Sequence, residues 1–169
     1  MAILNYTTKI PVETTIAEIE KMLADSGASK ILKDYDNESN VSSISFTLVT
    51  EKGELPFKLP MNKEGVLQVL KNQSGEYRKQ KSRSGGYRQQ VRVVPAKMVN
   101  KEQAARVGWR IIKDWLESQL ALFFLQMVKI EEIFLPYMYN AQSGKTMFQM
   151  LEEKGFDKLI EHKGDDTNE

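Results

Sequence analysis

The chain has no cysteine and a single histidine among its 169 residues. The first absence removes disulfide scaffolds, zinc ribbons, thiol nucleophiles and iron–sulfur centres, all of which need a thiolate. The second removes multi-histidine metal sites, and leaves His162, beside Glu161 and Lys163 near the C-terminus, as a surface side chain rather than a general base. Long apolar runs are also missing: Leu120 to Val128 is broken by Gln126 and falls far short of the ~20 residues of a membrane span. The start, Met1 to Ile10, lacks the basic stretch and apolar run of a secretory signal, so a cytoplasmic protein is expected and the Asn-x-Ser/Thr triplets at Asn5, Asn37, Asn40 and Asn72 are chance matches.

What is present is an ordinary globular composition, 41% hydrophobic and 28% charged, long enough to bury a sizeable core. The net charge of +1 conceals a strong internal asymmetry. From Lys71 to Lys113 there are twelve basic residues against Glu76 and Glu102, a net +10, which leaves −9 for the remainder. Such opposed fields within one chain point to contact with a polyanion.

The pattern along the chain predicts an α+β fold with an N-terminal β-α-β-β-β-α unit and an antiparallel sheet. Residues 3 to 9 are rich in β-formers and end at Pro11, which suits a short strand or an extended entry. Ile16, Ile19 and Leu23 then mark a helix over about 11–25, with Gly27 as its stop. Strands follow at Lys30 to Tyr35 and Val41 to Thr50, the second with Ile44, Phe46 and Leu48 alternating with polar neighbours. Leu55 to Pro60 reads as the returning strand, confined to an edge by its two prolines, and Asn62 opens a helix to about Asn72. The expected divisions are an α+β unit over 1–73, a basic flexible loop over 74–99, a helical region over 100–160 and a frayed tail over 161–169. Asn100 and Gln103 have capping-box spacing for a long helix reaching about Val128, and a last helix is expected over about Thr146 to Ile160.

Three motifs resemble catalytic or metal sites and fail on their own terms. Ser143-Gly144-Lys145-Thr146 ends like a phosphate-binding loop, yet position 139 is Tyr where the motif needs Gly. Asp34, Asp36, Glu38 and Asn40 alternate like calcium ligands, yet Ser39 and Ser45 stand where Gly and Glu are required. The turn-flanking acids Asp34, Asp36, Glu51 and Glu54 offer two-metal nuclease chemistry only if they converge, and no spacing fixes that. No cofactor, no metal and no catalytic residue is therefore assigned.

The basic stretch carries the functional reading. Arg78, Lys79, Lys81, Arg83, Arg88 and Arg92 supply phosphate-neutralising charge, and the interleaved Tyr77 and Tyr87 offer rings for unpaired bases. Arg106, Arg110 and Lys113, at i, i+4 and i+7, extend that surface along one helical face. The alternative is that the loop keeps the chain soluble or pairs with acidic surface of this chain or of another subunit. Trp109, Trp115, Ile112 and Leu116 read as core. The run from Leu120 is apolar on all sides, so either the last helix covers it or a homo-oligomer forms through Leu120, Phe123 and Phe124.

The segments Leu4-Asn5-Tyr6-Thr7-Thr8, Leu55-Pro56-Phe57-Lys58-Leu59-Pro60, Gln103 to Glu117 and Phe134-Leu135-Pro136-Tyr137 together resemble a family of small bacteriophage and prophage proteins, mostly without assigned function. The resemblance covers most of the chain, is most specific in the long helix, and departs from the family in the basic loop and in Phe123-Phe124. It implies a mobile-element origin and a bacterial host cytoplasm. Three functions follow in order: a non-enzymatic accessory protein that binds single-stranded or structured nucleic acid, an inhibitor of a host defence or replication protein, and a metal-dependent nuclease or nucleotide hydrolase.

Overall fold

The computed structural model describes residues 2–51, 53–75, 77–81, 87–140 and 142–155, with 77–81 and 87–92 described by their backbone. It is a mixed α+β structure in which α1 (Val12–Asp25) leads into a three-stranded antiparallel sheet, β1 (Ala28–Tyr35), β2 (Val41–Thr50) and β3 (Gly53–Lys58), in spatial order β1-β2-β3. Helix α2 (Lys63–Gly75) follows, then the paired strands β4 (Tyr77–Lys81) and β5 (Tyr87–Arg92). A 3-10 turn at Ala96–Met98 precedes the long helix α3 (Lys101–Phe124). The chain closes with α4 (Ile130–Phe134), a second 3-10 turn, the two-residue strands β6 (Tyr139–Asn140) and β7 (Lys145–Thr146), and α5 (Met147–Lys154).

Periodicity explains the main layer. In α1 the apolar positions Ile16, Ile19 and Leu23 are buried together, and Gly27, at φ +90°, takes the left-handed conformation that ends the helix. In β2 the alternating Ile44, Phe46 and Leu48 face one way, and β3 adds Phe57 to the same side. These residues pack against α1 and against Trp109, Ile112 and Leu116 of α3, so the helices cover one face of the sheet. Phe134 of α4 completes the core, with ring centroids 5.2 Å from Phe46, 5.6 Å from Phe57 and 6.0 Å from Trp115. Gly108 lets α3 approach the β3–α2 link, since a Cβ there would stand 2.7 Å from Cε of Met61. Trp109 is fully buried, and its indole N–H has no hydrogen-bond partner among the described residues.

The opposite face of the sheet is open to solvent. It carries Lys30, Leu32 and Asp34 of β1 and Glu54 and Lys58 of β3, joined across the strands by Lys30–Glu54 at 2.7 Å and Lys58–Asp34 at 3.8 Å. As the prolines require, β3 lies at an edge, where its outer side meets only a single bridge from Phe57 to Met138 among the described residues.

Several boundaries differ from the sequence expectation. Residues 3–9 form a turn rather than a strand: Asn5 has φ +60° and Thr8 N–H donates to the Asn5 carbonyl. The segment instead docks as an arm, because the buried amide of Gln103 donates to the carbonyls of Tyr6 and Thr8 at 2.8 and 3.0 Å, while Ile3 N–H donates to Gln73. Helix α3 stops at Phe124, four residues early, where Leu125 N–H closes on Ala121 and Gln126 turns at φ +57°. Leu120, expected at a subunit interface, is 3% exposed and belongs to the chain's own core, and Phe123 packs against that core. Phe124 is exposed. Helix α5 ends at Lys154, before Gly155 at φ +80°, and the expected continuation to Ile160 and the tail lie outside the described residues.

Candidate nucleic-acid interface

The segment expected as a loop over 74–95 contains an antiparallel two-stranded ribbon. Its register pairs Tyr77 with Arg92, Arg78 with Val91, Lys79 with Gln90, Gln80 with Gln89 and Lys81 with Tyr87. Tyr77, Tyr87, Val91 and the glutamines tolerate extended backbone, and the sequence between the strands is rich in Ser and Gly. No cation in the ladder stands opposite another, which avoids the repulsion of directly opposed like charges. Between Tyr77 and Arg92 the sequence places six basic residues and no acidic one. Arg83 and the side chains of the other predicted contacts here lie outside the described residues.

The base of this ribbon is fixed. Directly after Arg92 the chain buries Val93 and Val94 between α2 and α3, in a second apolar cluster with Leu70 and Ala104. Val94 N–H donates to the Gln73 carbonyl at 3.3 Å. Pro95 then turns the chain into the 3-10 segment, and Asn100 caps α3 by accepting from Gln103 N–H at 2.7 Å. Lys71 is exposed on α2, which touches β5, and Lys97 is exposed on the 3-10 turn that packs against α2.

The helical face of Arg106, Arg110 and Lys113 is differently built. All three lie on α3 as the spacing predicts, but their side chains are only 24, 19 and 13% exposed, and each is held by acids of the same chain. Arg106 pairs with Glu102 and reaches the Gln103 side-chain oxygen at 2.8 Å. Arg110 donates to Glu18 of α1 at 2.6 Å, and Lys113 to Glu117. Asn5 from the N-terminal arm donates to Asp114, which also lies 3.8 Å from Arg110 and Lys113. This network joins α3, α1 and the arm. Spacing along α3 gives no sign of Glu18, 92 residues away, so the sequence could show the cations but not their neutralisation.

A cleft of about 540 Å³ opens between the start of α1, the β1–β2 turn and the first turns of α3. Its four cations are also matched internally: Lys33 with Glu20 at 2.8 Å, Lys63 with Asp36 at 3.0 Å, Lys101 with Glu38 at 3.9 Å, and Arg106 with Glu102. The β1–β2 turn is organised by Asp36, whose Oδ1 accepts from the backbone N–H of both Glu38 and Asn40 at 2.9 Å. The Asn40 N–H first, then the Lys63 ammonium, hold this carboxyl at about 2, below its ordinary value, and the same contact raises Lys63. Asp36 is therefore engaged as a turn-former. Likewise Lys145, in the segment resembling a phosphate loop, pairs with Glu153, and Thr146 caps α5 through Gln149.

Among the described residues no cluster of acids or His has the arrangement of a metal site, and no helix is long and apolar enough to cross a membrane. Comparison with known proteins finds no matching family model, no similar curated protein and no similar solved structure.

Proposed function

We propose that this protein binds nucleic acid without catalysis, as an accessory factor, and that the β4–β5 ribbon is its contact surface. One observation carries the reading: between Tyr77 and Arg92 the sequence has six basic residues and no acid, five of them on the strands of a paired ribbon rooted in the core, whereas the cations of α3 and of the cleft are matched by acids of the same chain. A two-stranded ribbon has the cross-section that a duplex groove admits, and basic side chains release counterions from phosphates on contact. Lys71 and Lys97 extend the field at the ribbon's base. Arg106, Arg110 and Lys113 act in this reading through the fold.

The test is salt-dependent binding to a labelled single strand and its duplex. Wild type is expected to lose affinity steeply with salt. Charge reversal at Lys79, Lys81, Arg83 and Arg88 is expected to abolish binding without changing the melting temperature by more than a few degrees. Equal affinity in that variant and wild type refutes the proposal. Comparing the two probes decides between groove contact and stacking by Tyr77 and Tyr87.

A further inference from the structure

Among the described residues, one edge of the sheet has no partner strand. Strand β1 pairs with β2 on one side only, and its eight residues, about 26 Å of backbone at 3.3 Å per residue, present their other side without a partner strand among the described residues. Edges of this kind are ordinarily kept apart by charge and by bulges, and β1 has both, with register irregularities near each end. The charges of β1, however, are arranged symmetrically. On the open face, Lys30 and Asp34 stand two residues either side of Leu32, which is 66% exposed.

We propose that two copies of this chain join through their β1 edges, antiparallel and centred on Leu32, into a continuous six-stranded sheet. In that register Leu32 meets its own copy on the two-fold axis, and Lys30 of each chain stands opposite Asp34 of the other. Paired residues share a face, so both helical layers fall on the same side of the sheet. On that side Ile31 stands opposite Lys33, whose ammonium is drawn away to Glu20 at 2.8 Å. Other registers lack this match. A shift of one residue sets Lys30 against Lys33, and centring on Lys33 sets that residue against itself.

The existing ion pairs extend the junction. Lys30 already contacts Glu54, and Asp34 contacts Lys58, yet the side chains of Lys30 and Asp34 remain 60 and 63% exposed and have room for another partner. Across the joined sheet the open face then reads Glu54, Lys30, Asp34, Lys58, alternating in sign through the interface. Such cross-strand pairs stabilise individually by tenths of a kcal/mol, and their main effect is to select register and partner.

Sedimentation equilibrium over a wide concentration range tests this, with circular dichroism to verify folding. Wild type is expected to approach twice the monomer mass. Lys30→Asp and Asp34→Lys each create two like-charge contacts and are expected to weaken association by about tenfold or more. The double variant restores it, and an equimolar mixture of the two single variants forms the mixed pair. Should either single variant fail to fold, Leu32→Asp, at an exposed position, sets two carboxylates on the axis and is expected to give monomer. A wild-type monomer at all concentrations overturns the proposal. So does a dimer whose affinity none of these variants alters, which would place the interface elsewhere, for example at the exposed Phe124, Leu125 and Met127.

Discussion

Replacing Phe134 by Ala probes the junction on which the main core depends. The ring is fully buried and meets Phe46, Phe57 and Trp115, the first edge-on at 81° and the last at 85°. At this ring of α4, side chains of β2, β3 and α3 converge. Truncating a buried Phe removes its transfer free energy and leaves a cavity, together about 3–5 kcal/mol. Edge-to-face pairing contributes about 0.5–1.5 kcal/mol per pair beyond area, which sets the upper part of that range here. A stability of about 5–15 kcal/mol is the general expectation, and about 2–4 °C of melting temperature is lost per kcal/mol in a chain of this size. The variant should therefore melt roughly 6–20 °C lower. Urea unfolding followed by tryptophan fluorescence reads the loss directly, because Trp115 meets the ring being removed edge to face. The near-UV circular dichroism of the folded variant should change with it. A loss below about 1 kcal/mol would refute the packing argument, since only an exposed or collapsible site behaves so.

Arg110→Gln is expected to cost about 0.5–1 kcal/mol by urea unfolding, a modest figure because Glu18 is 39% exposed on its side chain, with most of the loss recovered as coupling in a double-mutant cycle with Glu18→Gln. The salt slope of oligonucleotide binding should not move. A slope lowered by about one unit with stability intact would place Arg110 in the interface instead. The Asp36 carboxyl, held at about 2 in the fold against an ordinary 3.8, favours the native state as a carboxylate. Its contribution is complete above about pH 4 and fades as pH falls towards 2, so the stability gap between wild type and Asp36→Asn should be constant near neutrality and narrow over that acid window. A gap that widens there reverses the sign and refutes the assignment.

The local parts of this fold were legible because they depend on near neighbours. The i, i+3, i+7 pattern of α1, the alternation of Ile44, Phe46 and Leu48, the Asn100 cap and the edge position imposed by Pro56 all express themselves within a few residues. Failures came where a distant group decided the outcome. The β-forming residues 3–9 have no strand beside them, and the amides of Gln103 and Gln73 satisfy their backbone instead. The ribbon was hidden by its polar composition, since the sequences of β4 and β5 carry no alternating apolar pattern, and the buried Val93 and Val94 come just beyond them. Arg106, Arg110 and Lys113 were correctly placed on one face, yet whether they are open to a ligand depends on Glu18 and on Asn5 holding Asp114, neither of which helical spacing encodes.

The Gln103 amide also orders events in time. Its bonds to the carbonyls of Tyr6 and Thr8 span 97 and 95 residues, so the arm, made well before α3, waits for the start of that helix before it has a place to dock. At about 5–20 residues per second of synthesis, that interval is roughly 5–20 s. Well before α3 is made, α1 and the β1–β3 meander have been synthesised as local units, but the buried faces they need from Trp109, Ile112 and Leu116 have not. During translation the sheet is therefore exposed on its apolar side as well as at its β1 edge. The arrival of α3 ends the arm's wait and covers the sheet's apolar face, while the β1 edge stays as it was.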